Sequence, residues 1–383
     1  MTPAGEIHIE LTHRAGQVGS VKIASTRPEA AQALVGKTPE QLLSMLPLLF
    51  SLCGNAQAYA ALLACRAALG LAAEPAADAA RECLLRLETV REHAWRILLD
   101  WPALLGKPAD KAAMVALLKL DRQFKACLFA DGEAFRLDSR LQIDEPSFNG
   151  LSAELTDLID HAIFAGGLDR FLAITDAAQL RDFVVGNTGL AAQLLNALYQ
   201  RDWLALGASS VSCLPELEYA ELHQHMQHAD LSAFCRTPQW QGRCYEATPL
   251  SRQQAQPLIV ELQSRYGTGL LVRFVAVLLE VTAVPKLVAL PTRATGGGAD
   301  GVGLAQVQAA RGLLIHRLAL RQSRVYDYRI VAPTEWNVHP DGVLAQGLKA
   351  LQATDADDLR QQAEWLIQAV DPCVAYRVTL HKQ

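Results

Sequence analysis

Hydrophobic and polar residues follow two different periods along this chain. EIHIEL (6–11) and SVKIAS (20–25) alternate apolar with polar residues, and the turn-forming HRAGQVGS between them predicts a β-hairpin. Apolar residues then recur every three or four positions, which is typical of helices that bury one face. The segments with this helical pattern are 39–50, 54–72, 76–99, 109–120, 150–163, 190–206, 252–265, 268–283 and 355–369.

The pattern changes again between about 286 and 342. Gly-rich GGGADGVG (296–303) lacks the GK[ST] ending of a phosphate-binding loop, so we expect a flexible connection there. Gly312–Leu320 and RVYDYRIVAP (324–333) are predicted strands. The expected fold is therefore α+β and mainly α, with small peripheral sheets near the N-terminus and at about 286–342. Because both ends of the chain are strand-like and no linker separates them, one domain over 1–383 is predicted.

Composition narrows the classes of function. The chain has 383 residues, of which 51% are hydrophobic, and a formal net charge of -5, which excludes disorder and provides no basic surplus for nucleic acid. The most apolar stretch, Leu270 to Val284, contains Arg273 and Glu280 and is too short for a bilayer span, so no membrane partner is expected. Eight scattered cysteines and an acidic start favour reduced thiols in the cytoplasm.

Two cysteines lie at positions that favour chemistry. Cys53 precedes a predicted helix, whose dipole would favour the thiolate, and Cys373 follows the last one. Each thiol taken alone is better explained as a buried inert residue, because free cysteine is among the most buried residue types. HQHMQH spaces His223, His225 and His228 two and five residues apart, which favours a solvated polar helix face over a metal site. The chain has no Ser-His-Asp signature, HExxH or CxxC to indicate a common hydrolase, metalloprotease or thioredoxin.

Several segments together resemble the large subunit of nickel-iron hydrogenases. GGGADGVG, QAARGLLIH (308–316), RVYDYRIVAPTEWN (324–337) and DPCVAY (371–376) are similar to that family's Gly-rich loop, EAPRGxxxH, VPTTWN strand pair and DPCxxC, in the same order. LCGNAQ (52–57) stands where the family has RICGVC, and GRCYEATPLSR (242–252) resembles its GxPxExGPLAR. The resemblance covers nearly the whole chain and implies the helical bundle of a hydrogenase large subunit.

The departures from that family concern its metal site. Catalytic members hold nickel with four thiolates from two CxxC pairs, two of which bridge to an iron that carries carbon monoxide and cyanide. Here Cys53 and Cys373 keep the first cysteine of each pair, and too few thiolates remain for that nickel site. Gln308 replaces a carboxylate and cannot exchange protons, so no enzyme and no nickel are expected. The other replaced family positions are Ala56 and Tyr376 (second cysteines), Ala60 (His), Ala310 (Pro) and Thr379 (processing His).

The resemblance also implies which site residues are kept. Arg311, Pro333 and Thr334 stand where the family faces the diatomic ligands of iron, and a guanidinium and a hydroxyl can donate hydrogen bonds to cyanide. Cys53 and Cys373 are the implied metal ligands. A further iron ligand is open: Cys65 and His316 are candidates, and the alternative is that Cys65 is core and His316 a structural residue.

This combination resembles hydrogenase maturation proteins of the HupK/HoxV type. The resemblance implies a cytoplasmic, non-catalytic scaffold that transiently holds an Fe(CN)2(CO) unit between an assembly complex of HypC/HypD type and the apo hydrogenase large subunit. One alternative is a structural or chaperone subunit of a redox complex without metal. Another is a divergent enzyme with a mononuclear metal at the two cysteines.

Overall fold

The computed structural model describes residues 5–14, 16–50, 53–228, 230–285 and 294–382. Leu52 of LCGNAQ and residues 286–293 of the predicted β-rich region lie outside them. The predicted N-terminal hairpin is confirmed: β1 (Glu6–Arg14) and β2 (Gln17–Ser25) pair antiparallel. Every second residue of β1 is buried, as its alternating pattern requires.

The helical periodicity predicts most of the helices, with shifted ends. Aspartate side chains at 110, 144, 176 and 355 accept backbone N–H bonds at helix starts, which explains why helices begin there. The third and sixth helices each end in a π-helical turn, at Arg96–Asp100 and Asp160–Phe164. The helices are α1 (Pro39–Leu49), α2 (Gly54–Ala68), α3 (Pro75–Trp95), α4 (Trp101–Leu104), α5 (Lys111–Leu128), α6 (Glu145–Ile159), α7 (Leu168–Leu172), α8 (Ala177–Gly186), α9 (Leu190–Arg201), α10 (Tyr219–His228), α11 (Leu231–Arg236), α12 (Pro249–Gln253), α13 (Pro257–Tyr266), α14 (Leu270–Val281), α15 (Pro333–Asn337), α16 (Val343–Lys349) and α17 (Ala356–Val370).

The Gly-rich segment is a hairpin, and the expectation of a flexible connection is wrong. β3 (Thr295–Ala299) and β4 (Val302–Ala309) are followed by β5 (Gly312–Arg321) and β6 (Arg324–Val331) in an antiparallel sheet. Glycine is required because the strands lie directly on α2: a Cβ on Gly303 would lie 1.9 Å from the carbonyl oxygen of Ala64. The glycines therefore permit close packing rather than motion.

The first sheet joins the two ends of the chain. β7 (Ala375–Lys382) runs parallel to β1, so the strand order is β2-β1-β7. Glu6, at the start of β1, lies opposite Ala375, two residues after Cys373. The N-terminal hairpin therefore positions the segment that carries Cys373. That the chain forms one domain stays a prediction.

The most apolar helix, α14, lies in the core, and its two charges are paired there. Arg273 contacts Glu246 through two N–O distances of 2.9 Å, and Glu280 contacts Arg252 and His93. Burial alone would raise the pKa of Glu280, but Arg252 and His93 hold it at about 2. In the described residues, no helix is both long and apolar enough to span a bilayer.

Candidate site at two cysteines

Cys53 and Cys373 lie at one site, although 320 positions separate them. Cys53 is the N-cap of α2, and Cys373 lies in the turn between α17 and β7. Both residues are partly buried. After burial, Cys373 has the largest influence on the pKa of Cys53, so the two thiols lie within electrostatic range of each other.

The surroundings of Cys53 favour the buried, protonated thiol over the thiolate that a helix dipole would favour. Burial, together with the nearby Cys373 and Glu88, raises the pKa of the Cys53 thiol to about 12, although Arg311 lowers it. The predicted helix N-terminus is present, but the desolvation of the sulfur outweighs its dipole. A metal that binds here must therefore displace a proton.

Thr334 and Pro333 come to the site from α15. Pro333 is the first residue of this helix, where proline has no amide hydrogen to leave unpaired. The buried Thr334 hydroxyl lies 3.0 Å from the Cys373 sulfur, to which it donates a hydrogen bond. A side chain of the VAPTEWN segment therefore orients one of the two predicted metal ligands.

Arg311 lies in the turn between β4 and β5, and acidic residues hold its guanidinium. Its Nη1 donates to Glu92 of α3 at 3.0 Å, and its Nε lies 3.2 Å from Asp371. Gly312 follows in a left-handed conformation that approaches Ala247 so closely that a Cβ there would lie 1.8 Å from a carbonyl oxygen. Burial alone would raise the pKa of Asp371, but Arg311 and Arg96 hold it below its usual value.

A chain of hydrogen bonds forms the wall behind Cys53. Gln57, one turn into α2, points its Nε2 at the Cys53 sulfur over 3.8 Å and accepts from His316 Nε2 at 3.0 Å. Tyr328 donates to the other nitrogen of His316 at 2.7 Å. Both nitrogens of His316 are thus bonded to protein, which supports its structural alternative over the role of an iron ligand.

Cys65 lies in an apolar cluster with Leu62, Leu318 and Tyr328. Burial raises the pKa of its thiol to about 12. Cys65 is completely buried in this cluster, so its surroundings are those of a core thiol.

Glu88 is a residue of this site that sequence reasoning missed. It lies on α3 and accepts the backbone N–H groups of Asn55 and Ala56 at 2.7 and 3.0 Å, so it caps the helix that begins after Cys53. Burial raises the pKa of Glu88 to about 7, although Arg91 and the two amides lower it. Glu92 and Asp371, the partners of Arg311, were missed as well. In sequence all three look like ordinary charged residues of helices and turns.

The positions that differ from the hydrogenase pattern are filled by groups that do not ligate. Ala56 is completely buried in α2, and Tyr376 holds its hydroxyl against Gln368 at 3.2 Å. The buried Oε1 of Gln308 has no hydrogen-bond partner in the described structure. Among the residues that the structure describes, no three His, Cys, Asp or Glu side chains are arranged to hold a bare metal ion.

A cavity of about 450 Å³ reaches the site from the surface. It is bordered by Cys373, Arg311, Glu92, Asp371 and Tyr376, and therefore has both a sulfur and a cation in its lining.

The histidines of HQHMQH differ from the expected solvated face. His225 turns inward and packs edge-on against Phe234 and Trp240, with ring centroids 4.7 and 5.3 Å away, and its Nε2 is buried. His223 stacks on Tyr219. The side chain of His228 lies outside the described residues. The expectation is wrong for His225 because Phe234 of α11 and Trp240 cover its ring.

Comparison with known proteins shows the family of the chain. Residues 283–379 match the family of nickel-dependent hydrogenases. The chain is 31% identical to hydrogenase expression/formation protein HupV of Azotobacter chroococcum, over 98% of this chain and 99% of that protein. It is also 31% identical to hydrogenase expression/formation protein HoxV of Cupriavidus necator, over 99% of this chain and 97% of that protein.

Among solved structures, the oxidized Ni-Fe-Se hydrogenase from D. vulgaris Hildenborough superposes with a TM-score of 0.62 over 94% of both chains, at 14% identity. That likeness shows the fold, and confirms the predicted class: a hydrogenase large-subunit-like α+β structure that is mainly α. The similarity to HupV and HoxV extends over essentially the full length of all three proteins. The chain thus belongs to the family of hydrogenase expression/formation proteins.

Proposed function

We propose that this protein is a non-catalytic scaffold in the assembly of a nickel-iron hydrogenase, and that its cargo is the Fe(CN)2(CO) unit. The observation that carries the proposal is that Cys373, Thr334 and Arg311 lie at one partly buried site within electrostatic range of Cys53, while the second cysteine positions are Ala56 and Tyr376. The cargo would bind through the two sulfurs. Thr334 and Arg311 are the donors available to its cyanide ligands.

The small number of thiols suits a carrier. A carrier has to release its cargo, and a destination with four thiolates binds iron and nickel more strongly than two thiols bind iron alone. Transfer of the iron unit to the hydrogenase large subunit would then be thermodynamically favourable. The buried, protonated Cys53 supports this direction, because reprotonation of the sulfur favours release.

The residue at position 308 supports a role without catalytic turnover. Gln308 stands at a position where the catalytic family has a carboxylate, and an amide cannot act as general acid or base. The proposed partners are an assembly complex of HypC/HypD type, which would load the unit, and the apo hydrogenase large subunit, which would receive it. Loading and delivery would take place in the cytoplasm.

The test is anaerobic purification from a host that expresses its hydrogenase maturation machinery, followed by infrared spectroscopy and metal analysis of one sample. We expect cyanide and carbonyl stretches, iron and no stoichiometric nickel. In Cys53→Ala and Cys373→Ala the bands and the iron should both be lost. Cys127→Ala is the matched control, because Cys127 is a buried thiol of α5 outside the site.

Two results would contradict the proposal. Wild-type protein that contains no metal and shows no cyanide or carbonyl bands in the infrared would favour a structural or chaperone subunit. Hydrogen uptake by an isolated preparation would instead favour an enzyme with a mononuclear metal.

A further inference from the structure

A second arginine, Arg27, is held beside the two cysteines by the first sheet. The segment after β2 is tied to the start of β1, since Thr26 N–H donates to the carbonyl of Glu6 at 3.0 Å and Glu6 N–H donates to the Thr26 hydroxyl at 2.9 Å. Gly5 approaches so closely that a Cβ there would lie 2.6 Å from Arg27 Cα. On the other side of Glu6, Ala375 begins β7. Arg27 therefore lies across one strand from the segment that carries Cys373.

The side chain of Arg27 points toward the site. Its Nη1 lies 2.7 Å from Glu335, and only 17% and 12% of the two side chains are exposed. Glu335 directly follows Thr334, the residue whose hydroxyl donates to Cys373. Burial lowers the pKa of Arg27, but Cys373, Glu335 and Cys53 together raise it above its usual value, which agrees with the position of Arg27 across one strand from the Cys373 segment.

Arg27 and Arg311 border different cavities. Arg311 lines the cavity that contains Cys373, whereas Arg27 and Glu335 line another of about 450 Å³ between the segment after β2, α11 and β6. Glu92 and Asp371 both neutralise Arg311, while Glu335 is the carboxylate paired with Arg27. The ion pair with Glu335 engages Nη1, and a guanidinium carries further N–H donors.

The proposed cargo needs a positively charged hydrogen-bond donor beside it. An iron(II) with two cyanides is neutral, and two thiolates make the bound complex anionic, so its burial requires positive charge nearby. Cyanide nitrogen is a good hydrogen-bond acceptor, whereas bound carbon monoxide is a poor one. A second guanidinium thus favours a unit with two cyanides over one that carries carbonyls alone.

We propose that Arg27 is a cargo-binding residue, which donates to one cyanide ligand of the iron unit while Arg311 donates to the other. This inference rests on the proposed function. It adds a cation that the hydrogenase-like motifs do not contain.

The experiment compares Arg27→Gln with Arg236→Gln in full-length protein purified as above. Arg236 is the matched control, because it borders the same cavity and pairs with Glu29 at 3.0 Å but is 60% exposed. For Arg27→Gln we expect about tenfold less iron per protein, since a hydrogen bond to a charged group is worth about one factor of ten or more. The remaining cyanide bands should shift in frequency, and Arg236→Gln should match the wild type.

Two further variants separate ligand binding from a structural ion pair. Arg27→Lys keeps the positive charge but loses the planar guanidinium with its several N–H donors. It should therefore fold normally and still shift the cyanide bands. Glu335→Gln breaks the ion pair but keeps the guanidinium, so it should load iron. If Glu335→Gln loses as much iron as Arg27→Gln, the role of Arg27 is structural and the inference fails.

The outcomes also separate this inference from the proposed function. Wild-type protein without cyanide bands would overturn the proposed function. Loaded wild-type protein, together with Arg27→Gln or Arg27→Lys of unchanged iron content and band positions, would overturn only the role of Arg27.

Discussion

His316 is a completely buried histidine whose ring is fixed in one tautomer. Its Nε2 donates to Gln57 and its Nδ1 accepts from the Tyr328 hydroxyl, so it has no position left for a proton. Burial lowers the pKa of His316 to about 3. The wall behind Cys53 therefore depends on a neutral imidazole.

This predicts a loss of stability in acid. In the unfolded chain a histidine has a pKa of about 6.5, so as pH falls below that value the unfolded state binds the proton while the folded state does not. The contribution of His316 is full above about pH 6.5 and is lost progressively toward pH 3. Between pH 7 and 5 the loss in free energy of unfolding should reach about 2 kcal/mol.

Urea unfolding of wild type and His316→Gln at both pH values measures this contribution. Glutamine offers a donor and an acceptor but does not titrate, so the variant should lose less stability between pH 7 and 5. The comparison is needed because the pKa of Glu88, raised to about 7 by burial, makes that residue act in the opposite direction over the same range. Equal losses in the two proteins would contradict the assignment.

At the scale of elements, the hairpin of β3 and β4 depends on contact with α2. A Cβ on Gly303 would lie 1.9 Å from the carbonyl oxygen of Ala64 and 2.9 Å from the amide nitrogen of Ala68. Gly303→Ala should therefore separate the strand from the helix and lower the free energy of unfolding by about 1–3 kcal/mol or more. Thermal or urea unfolding measures the change.

Gly150→Ala is the opposite control within the same protein. Gly150 lies in α6, is exposed, and has no atom within 4 Å of an added Cβ. Because alanine is the better helix former, this variant should gain up to about 1 kcal/mol. If both variants change stability by the same amount, close packing is not the reason for glycine at 303.

Local patterns predicted the elements that have a clear period. Alternation found the first hairpin, β5 and β6, and the helical period found α1 to α3. The same reasoning missed β3, because its glycines carry no hydrophobic signal, and β4, because most of its residues are buried and do not alternate. It indicated a strand-like C-terminus but gave β7 no bounds, since the side chains of β7 are only partly buried or exposed. It also could not place the π-helical turns that end α3 and α6, which depend on tertiary packing.

The residues of the candidate site also fall into a group that the sequence predicted and a group that it missed. Cys53, Cys373, Arg311 and Thr334 were predicted because they stand in segments that resemble a known family. Glu88, Glu92 and Arg27 carry no such local signal, and their contacts join distant parts of the chain: Glu92 and Arg311 are 219 positions apart. A residue whose role consists in a long-range ion pair becomes visible only when the fold brings its partner to it.

At the scale of the whole molecule, the two chain ends form one sheet beside the site. Ile7, Ile9 and Leu11 of β1 are buried, and Tyr376, Val378 and Leu380 of β7 pack against the same core. β1 lies between β2 and β7, with Arg27 following β2 and Cys373 preceding β7. The sheet thus fixes two parts of the candidate site at once.

Removal of β7 should therefore cost both stability and cargo. A chain that ends at Val374 loses the strand paired to β1 and three partly buried apolar side chains, worth about 3 kcal/mol together at roughly half the value of complete burial. The segment with Cys373 would no longer be held against β1, so iron and cyanide bands should be lost even below the melting temperature. A chain that ends at His381 is the control, because it keeps all but the last register pair, His13 with Lys382. If the shorter chain melts and loads iron like this control, β7 does not position the site, and Cys373 must be held by α17 and Thr334 alone.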